Sequence, residues 1–235
     1  MSKLALIWCA GEAGGLQRSL LDTFRSDRQH WDVLSPTDDD FLERAAHYDG
    51  YVISGSPSSV IDDAGHALVR NLLALIRQVH AQSAAPMLGV CFGSQAIAAA
   101  LGGRVGRNPD GGFKLGAETL AWSAQADAAR WPEAGAATVL AQSHGECVSA
   151  LPPGSEVLAT SPSAAHEIFL VQRRFLGVQG HPEVDNELLR QVFMPLHRPL
   201  FDAERWQQVE REAQQTLHPA PVIALGQRLL RQGFL

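Results

Sequence analysis

The segment Met87-Leu88-Gly89-Val90-Cys91-Phe92-Gly93-Ser94-Gln95 limits what this chain can fold into more than any other, because an apolar run enters a cysteine with a glycine two residues away on either side. This G-x-C-x-G pattern reads as a nucleophile elbow: a buried strand, a sharp strained turn, and a helix that starts at once. Residues 87–90 are the expected strand and 94–101 the expected helix. Gly89 and Gly93 leave room where a β-carbon would clash. A thiol placed there sits at a helix N-terminus, whose partial positive charge favours the attacking thiolate. Cysteine is also among the most buried residue types, so a plain core thiol at Cys91 is the competing reading, and the elbow pattern alone does not separate the two.

A partner separates them. A thiol nucleophile needs a base, and the base needs a third group to hold its tautomer and offset its charge. Phe175-Leu176-Gly177-Val178-Gln179-Gly180-His181-Pro182-Glu183 supplies both at the end of a second apolar run. Pro182 cannot continue a central strand and biases His181 towards extended backbone. Residues i and i+2 of an extended segment point to one side, so Glu183 can reach the His181 ring while the imidazole faces the thiol.

Short apolar runs alternate with helical patterns along the chain, which predicts parallel βαβ units in an α/β fold. Strands are expected at residues 4–8, 31–34, 51–54 and 87–90. Residues 65–82 are expected to form a helix with Leu68, Leu72, Leu75, Ile76 and Val79 at helical spacing. A small added β region follows, with strands at 116–122, 138–142, 168–171 and 175–179. Residues 102–112 are glycine-rich without a phosphate-loop pattern and read as a loop beside the site. Thr37-Asp38-Asp39-Asp40 reads as an N-cap with acids in a first helical turn rather than a metal cluster. Residues 202–217 and 221–235 read as two tail helices, the second apolar enough to pack on the domain or on another subunit.

At 235 residues and 46% hydrophobic, the chain can bury one large core. A formal net charge of −6 argues against nucleic-acid or anionic-membrane partners. Cys9, Cys91 and Cys147 are odd in number and widely spaced, so neither a disulfide framework nor a zinc site is expected, and no metal or other cofactor is. The apolar run at 4–10 has only Lys3 before it and Glu12 close behind, which favours a first strand over a signal peptide and a cytoplasmic location. No apolar stretch approaches the roughly 20 residues that span a bilayer.

Taken together, these motifs resemble the class I, triad-type glutamine amidotransferases. The resemblance carries the nucleophile, base and orienting acid of that family to Cys91, His181 and Glu183. Ile53-Ser54-Gly55-Ser56-Pro57 matches the family's oxyanion loop with Ser56 in place of its second glycine, which implies backbone donors at Gly55 and Ser56 together with Phe92. Gln142-Ser143-His144-Gly145-Glu146 matches the segment beside the glutamine pocket. It implies substrate contacts at Ser143 and Gly145, and less directly at Glu146, while His144 reads either as a substrate residue or as a structural one. Gln95, about one helical turn beyond Cys91, can face the same pocket. The implied fold is an open, mostly parallel, flavodoxin-like sheet flanked by helices. The catalytic domain would span residues 1–190, with residues 191–235 as a helical extension packed on it. Together with Gly106-Arg107-Asn108-Pro109, the loops resemble free-standing members related to the γ-glutamyl peptide hydrolases.

Three functions stay open on this reading. One is a stand-alone hydrolase of glutamine or another small γ-glutamyl compound. Another is a glutaminase subunit supplying ammonia to a separate synthase. The third is a non-catalytic binding or regulatory module. Oligomerisation through the C-terminal helices is compatible with each.

Overall fold

The computed structural model describes residues 2–11, 14–123 and 131–235. The first half runs β1 (Ser2–Ile7), α1 (Gly15–Phe24), β2 (Gln29–Leu34), α2 (Phe41–Ala45), β3 (Gly50–Ile53), α3 (Ala67–Gln82), β4 (Met87–Val90) and α4 (Phe92–Ala100). Next come β5 (Arg104–Arg107), β6 (Lys114–Thr119), β7 (Ala121–Trp122), β8 (Val139–His144), β9 (Glu146–Ala150), β10 (Ser155–Thr160), β11 (Ile168–Val171) and β12 (Phe175–Val178). The last part is helical: α5 (Asn186–Leu188), a π-helical turn (Leu189–Phe193), α6 (Met194–His197), a 3-10 turn (Arg198–Leu200), α7 (Ala203–Glu212) and α8 (Ala220–Gln232).

The main sheet has the order β2-β1-β3-β4-β12-β11-β10-β7. Its first five strands are mutually parallel and the remaining three antiparallel. The central strands β3, β4 and β12 are buried at every residue, as strands covered on both faces must be. One face packs on α3, where Val69, Leu72, Leu75, Ile76 and Val79 are buried. Val69 takes the interior place that helical spacing assigned to Leu68, which is only partly buried. The other face receives α1 and α8, with Leu225 and Leu229 fully buried beside Phe24 and Leu88. A β-carbon on Gly226 would lie 2.6 Å from Phe24 Cε1, so α8 approaches as closely as it does because that position is glycine.

Several expected elements change on folding. The strand expected over 116–122 divides: β6 pairs with β8 in a separate sheet, and β7 crosses to the main sheet beside β10. The loop expected at 102–112 contains β5, paired with β9. α2 begins only at Phe41, and Asp40 makes no side-chain cap; Asp38 and Asp40 pair instead with Arg44, so the acids of that turn serve an ion pair rather than a helix N-terminus. The first tail helix stops at Glu212 instead of 217, and the last ends at a left-handed Gly233 with φ +84°. Glu12 lies outside the described residues.

Candidate active site

The topology brings the chemistry to one edge. β1, β3, β4 and β12 end side by side, and each delivers a loop to the carboxyl end of the sheet, where open α/β folds place their sites. β3 gives Ser54 to Ser56, β4 gives Cys91, and β12 gives Gln179 to Glu183.

Cys91 sits between β4 and α4 at φ +50° and ψ −108°, a strained backbone for any residue with a side chain. Its N–H donates to Val178 O at 2.8 Å, while its carbonyl accepts from Ser94 N, Ser94 Oγ and Gln95 N. The flanking glycines are obligatory. A β-carbon on Gly89 would lie 2.4 Å from the Gly93 carbonyl carbon, and one on Gly93 would lie 2.5 Å from Ile53 O.

His181 is 6% and Glu183 9% exposed, and His181 Nδ1 lies 2.8 Å from Glu183 Oε1, the contact expected from the i, i+2 spacing. The His181 N–H donates to Ala141 O at 2.8 Å, and Phe193 stands edge-on to the ring at 5.1 Å between centroids. With Nδ1 turned to the carboxylate, Nε2 is the nitrogen left for the Cys91 sulfur. Burial alone would lower the basicity of this imidazole. The Glu183 charge, the Cys91 sulfur and hydrogen bonds to both outweigh it and hold the ring well above its ordinary range. Gly55 lies against both groups: a β-carbon there would stand 3.1 Å from His181 Cε1 and 3.7 Å from Cys91 Cβ.

The loop after β3 is tied down by hydroxyls. Ser54 Oγ accepts from Cys9 N at 2.9 Å and donates to Gly55 O at 2.8 Å, while Ser56 Oγ donates to Cys9 O at 2.7 Å. A trans peptide whose carbonyl is turned to Ser54 directs its N–H, that of Ser56, the opposite way. The N–H groups of Gly55 and Ser56 have no acceptor among the described residues. Phe92 opens α4, so its N–H precedes the helical hydrogen-bond ladder.

Ser143 O stands 3.7 Å from Cys91 Sγ, and Gly145 O is taken by Asn108 N at 3.0 Å. The His144 ring is 3% exposed and faces protein groups: Nδ1 bonds Asn108 Oδ1 at 2.9 Å, and Nε2 lies 3.4 Å from Ser163 Oγ. Asn108 Nδ2 donates to His144 O and Gly112 O, so Asn108 Oδ1 is an acceptor and His144 carries its proton on Nδ1. Burial, the main cause, lowers this imidazole to about 4. Gln95 Nε2 donates to Glu146 O at 2.8 Å and to Gln179 Oε1 at 3.3 Å. The Glu146 carboxylate accepts from Ser59 Oγ at 2.7 Å and Arg107 Nη1 at 2.5 Å.

Two residues at the site carried no signal of their own in the sequence. Gln179, 1% exposed, directs Nε2 at Cys91 Sγ from 3.7 Å. Glu167 is fully buried and accepts from Gly180 N at 2.9 Å, Gln142 Nε2 at 3.0 Å and Ser161 Oγ at 2.9 Å, which fixes the strap entering His181. Burial raises its carboxyl above the usual range. Only the adjacency of Gln179 to the G-H-P-E string marked it.

Known proteins share this architecture. A glutamine amido transferase of Methylobacillus flagellatus superposes with a TM-score of 0.71 over 100% of this chain and 96% of that chain, at 21% identity. Gamma-glutamyl peptidase 3 of Arabidopsis thaliana is 29% identical over 185 residues, 76% of this chain and 73% of that protein. A glutamine-hydrolyzing GMP synthase of Allorhizobium ampelinum is 33% identical over 134 residues, 57% of this chain and 24% of that protein. The family described as Glutamine amidotransferase class-I matches residues 13–194, and the chain therefore belongs to the class-I glutamine amidotransferases.

Proposed function

We propose that this chain hydrolyses the γ-glutamyl amide bond of glutamine or of a small γ-glutamyl compound through a thioester on Cys91. One observation carries the reading: a thiol on a strained elbow shares a buried pocket with an imidazole that is clamped by a carboxylate and held well above its ordinary basicity. Cys91 gives its proton to His181 Nε2, and the thiolate attacks the γ-carbonyl carbon. The oxyanion that forms meets the N–H groups of Phe92 and of the Gly55-Ser56 turn. His181 returns the proton to the leaving nitrogen as the C–N bond breaks. Water, deprotonated by His181, then attacks the thioester; the C–S bond breaks, glutamate leaves, and His181 returns the proton to the Cys91 sulfur. Glu183 keeps the imidazole in the tautomer that both steps need.

A stand-alone hydrolase is favoured over a partner-gated glutaminase because the Gly55–Ser56 peptide is already held on both sides by serine hydroxyls. The GMP synthase match touches only 24% of that protein, and the gamma-glutamyl peptidase match covers 73% of its own. A cytoplasmic setting fits three buried free thiols. Glutamate release from glutamine and from γ-glutamyl dipeptides, measured on the isolated chain in chelator-treated buffer without ATP, tests the reading. Turnover that is absent in a Cys91→Ala control is the expected result. Negligible rates on every substrate, rescued by a second protein from extract, would reverse the ranking.

A further inference from the structure

We propose that the side-chain amide of Gln179 is a catalytic hydrogen-bond donor that holds the Cys91 sulfur in its reactive anionic form, and that Gln95 fixes which end of that amide faces the sulfur. The role in turnover rests on the hydrolase reading above; the role at the sulfur rests on geometry alone.

An amide's nitrogen and oxygen are told apart only by their partners, and here the partners form a chain with one solution. Glu146 O is a main-chain carbonyl and can only accept, so the Gln95 atom 2.8 Å from it is nitrogen. That nitrogen has a second hydrogen, directed at Gln179, so the Gln179 atom 3.3 Å away is oxygen. The other end of the Gln179 amide, which faces Cys91 Sγ at 3.7 Å, is therefore N–H. The polarity at the nucleophile is set by a backbone carbonyl two side chains away. Gln179 is also fixed at its main chain, where its N–H donates to Glu167 O at 2.8 Å.

Beside His181, which favours the charge, the sulfur has a second neighbour that works against it, and this donor offsets that neighbour. Ser143 O, at 3.7 Å, accepts from S–H and so favours the neutral thiol. Once His181 holds the proton, that carbonyl oxygen faces an anion and no longer attracts it. Gln179 N–H does the reverse: its bond strengthens as sulfur becomes charged, and again when the thioester collapses and sulfur leaves as an anion. Gln179 is 1% and Gln95 4% exposed, so solvent is poorly placed to substitute for either amide.

Iodoacetamide is the probe, because it reports anionic sulfur without needing the γ-glutamyl pocket. The Cys91 peptide is quantified by mass spectrometry at neutral pH for the wild type, Q179M, Q179E, Q95M and Q95M/Q179M. Q179M keeps length and removes the donor; alkylation should slow about 10-fold, the scale of one hydrogen bond to a charged group. Q179E places an acceptor oxygen against sulfur and should slow it on the order of 100-fold. Q95M, which frees the Gln179 amide to rotate, should fall between wild type and Q179M. The double variant should match Q179M, because Gln95 acts on sulfur only through Gln179. In glutamate release, kcat should follow the same order for the two Gln179 variants with KM little changed. Thermal melting of each variant separates a misfolded protein from a slow one, and Q179M alone suffices if Q179E does not fold. Alkylation of folded Q179M within two-fold of wild type, or additive losses in the double variant, would overturn the proposal. Alkylation of the five proteins in the expected order, with no glutamate released by the wild type, would sink the hydrolase reading and leave the donor in place.

Discussion

Cys91 is one of three buried cysteines, yet the three thiols stand in different surroundings. Cys9 is enclosed in the core, and burial pushes its thiol up to about 12, so it stays protonated and unreactive at neutral pH. Burial likewise raises Cys147. Cys91 alone adjoins the His181–Glu183 pair. Cys91→Ser should therefore lower glutamate release by a factor on the order of 10³ or more with little change in melting temperature, because one atom is exchanged without a packing defect. A glutamine-like electrophile should modify Cys91 alone; adducts chiefly on Cys9 or Cys147 would overturn its assignment. Glu183→Gln keeps the shape and removes the charge that raises the basicity of His181 against its burial. Turnover should drop clearly, though less than in Cys91→Ser, since the nucleophile and backbone donors remain. Moreover, the alkaline limb of the pH–rate profile should move to lower pH, because the imidazole loses the field that raised it. Full activity with an unshifted profile would assign the orienting role elsewhere.

At the scale of elements, the elbow depends on β3, β4 and α4 packing with no space for a methyl group. Gly89 is the tighter of the two glycines and Gly93 is nearly as tight, because Ile53 O is main chain of a fully buried strand and cannot swing aside. Gly93→Ala should cost about 1–3 kcal/mol through overpacking, and it should slow catalysis more than that stability loss explains, because α4 must shift and carry Phe92 N–H with it. Comparing kcat with the denaturation midpoint tests this. A stability loss with unchanged kcat would show that the elbow tolerates the displacement. The helical tail also belongs to the site and the core. Phe193, on the π-helical turn, packs edge-on to His181, and α8 covers one face of the sheet. Leu235 exchanges hydrogen bonds with Arg173.

Over the whole molecule, stability should depend on pH through buried imidazoles of opposite sign. His144 stays neutral in the fold down to about 4, whereas an unfolded histidine takes a proton below about 6.5. The unfolded chain thus binds the extra proton, and stability should fall as pH drops from about 6.5 to about 4, by about 3 kcal/mol from this group. His166 and His197, also lowered by burial, add to the same limb. Glu167 opposes it, since its raised carboxyl takes up a proton in the fold first. His181, held high, contributes stability that is complete below its unfolded range and lost as pH rises through its folded one. His144→Asn retains a donor near the position of Nδ1 and should flatten the acid limb in denaturant titrations at pH 4 to 6.5. An unchanged acid slope would locate the linkage in other groups.

Whatever is settled within a few residues was legible in the sequence. β4 and β11 have the boundaries their apolar runs predict, the elbow follows from two glycines around a cysteine, and His181 meets Glu183 because extended backbone puts i and i+2 on one side. The relay from Glu146 through Gln95 and Gln179 to Cys91 came from folding alone, since its links join residues 51, 84 and 88 positions apart. Folding also decided that the His144 ring bonds Asn108, and that 116–122 divides between two sheets. Such contacts depend on which strands become neighbours. Strand order follows from the burial of both sheet faces at once, a condition on the whole chain that leaves no mark at any single position.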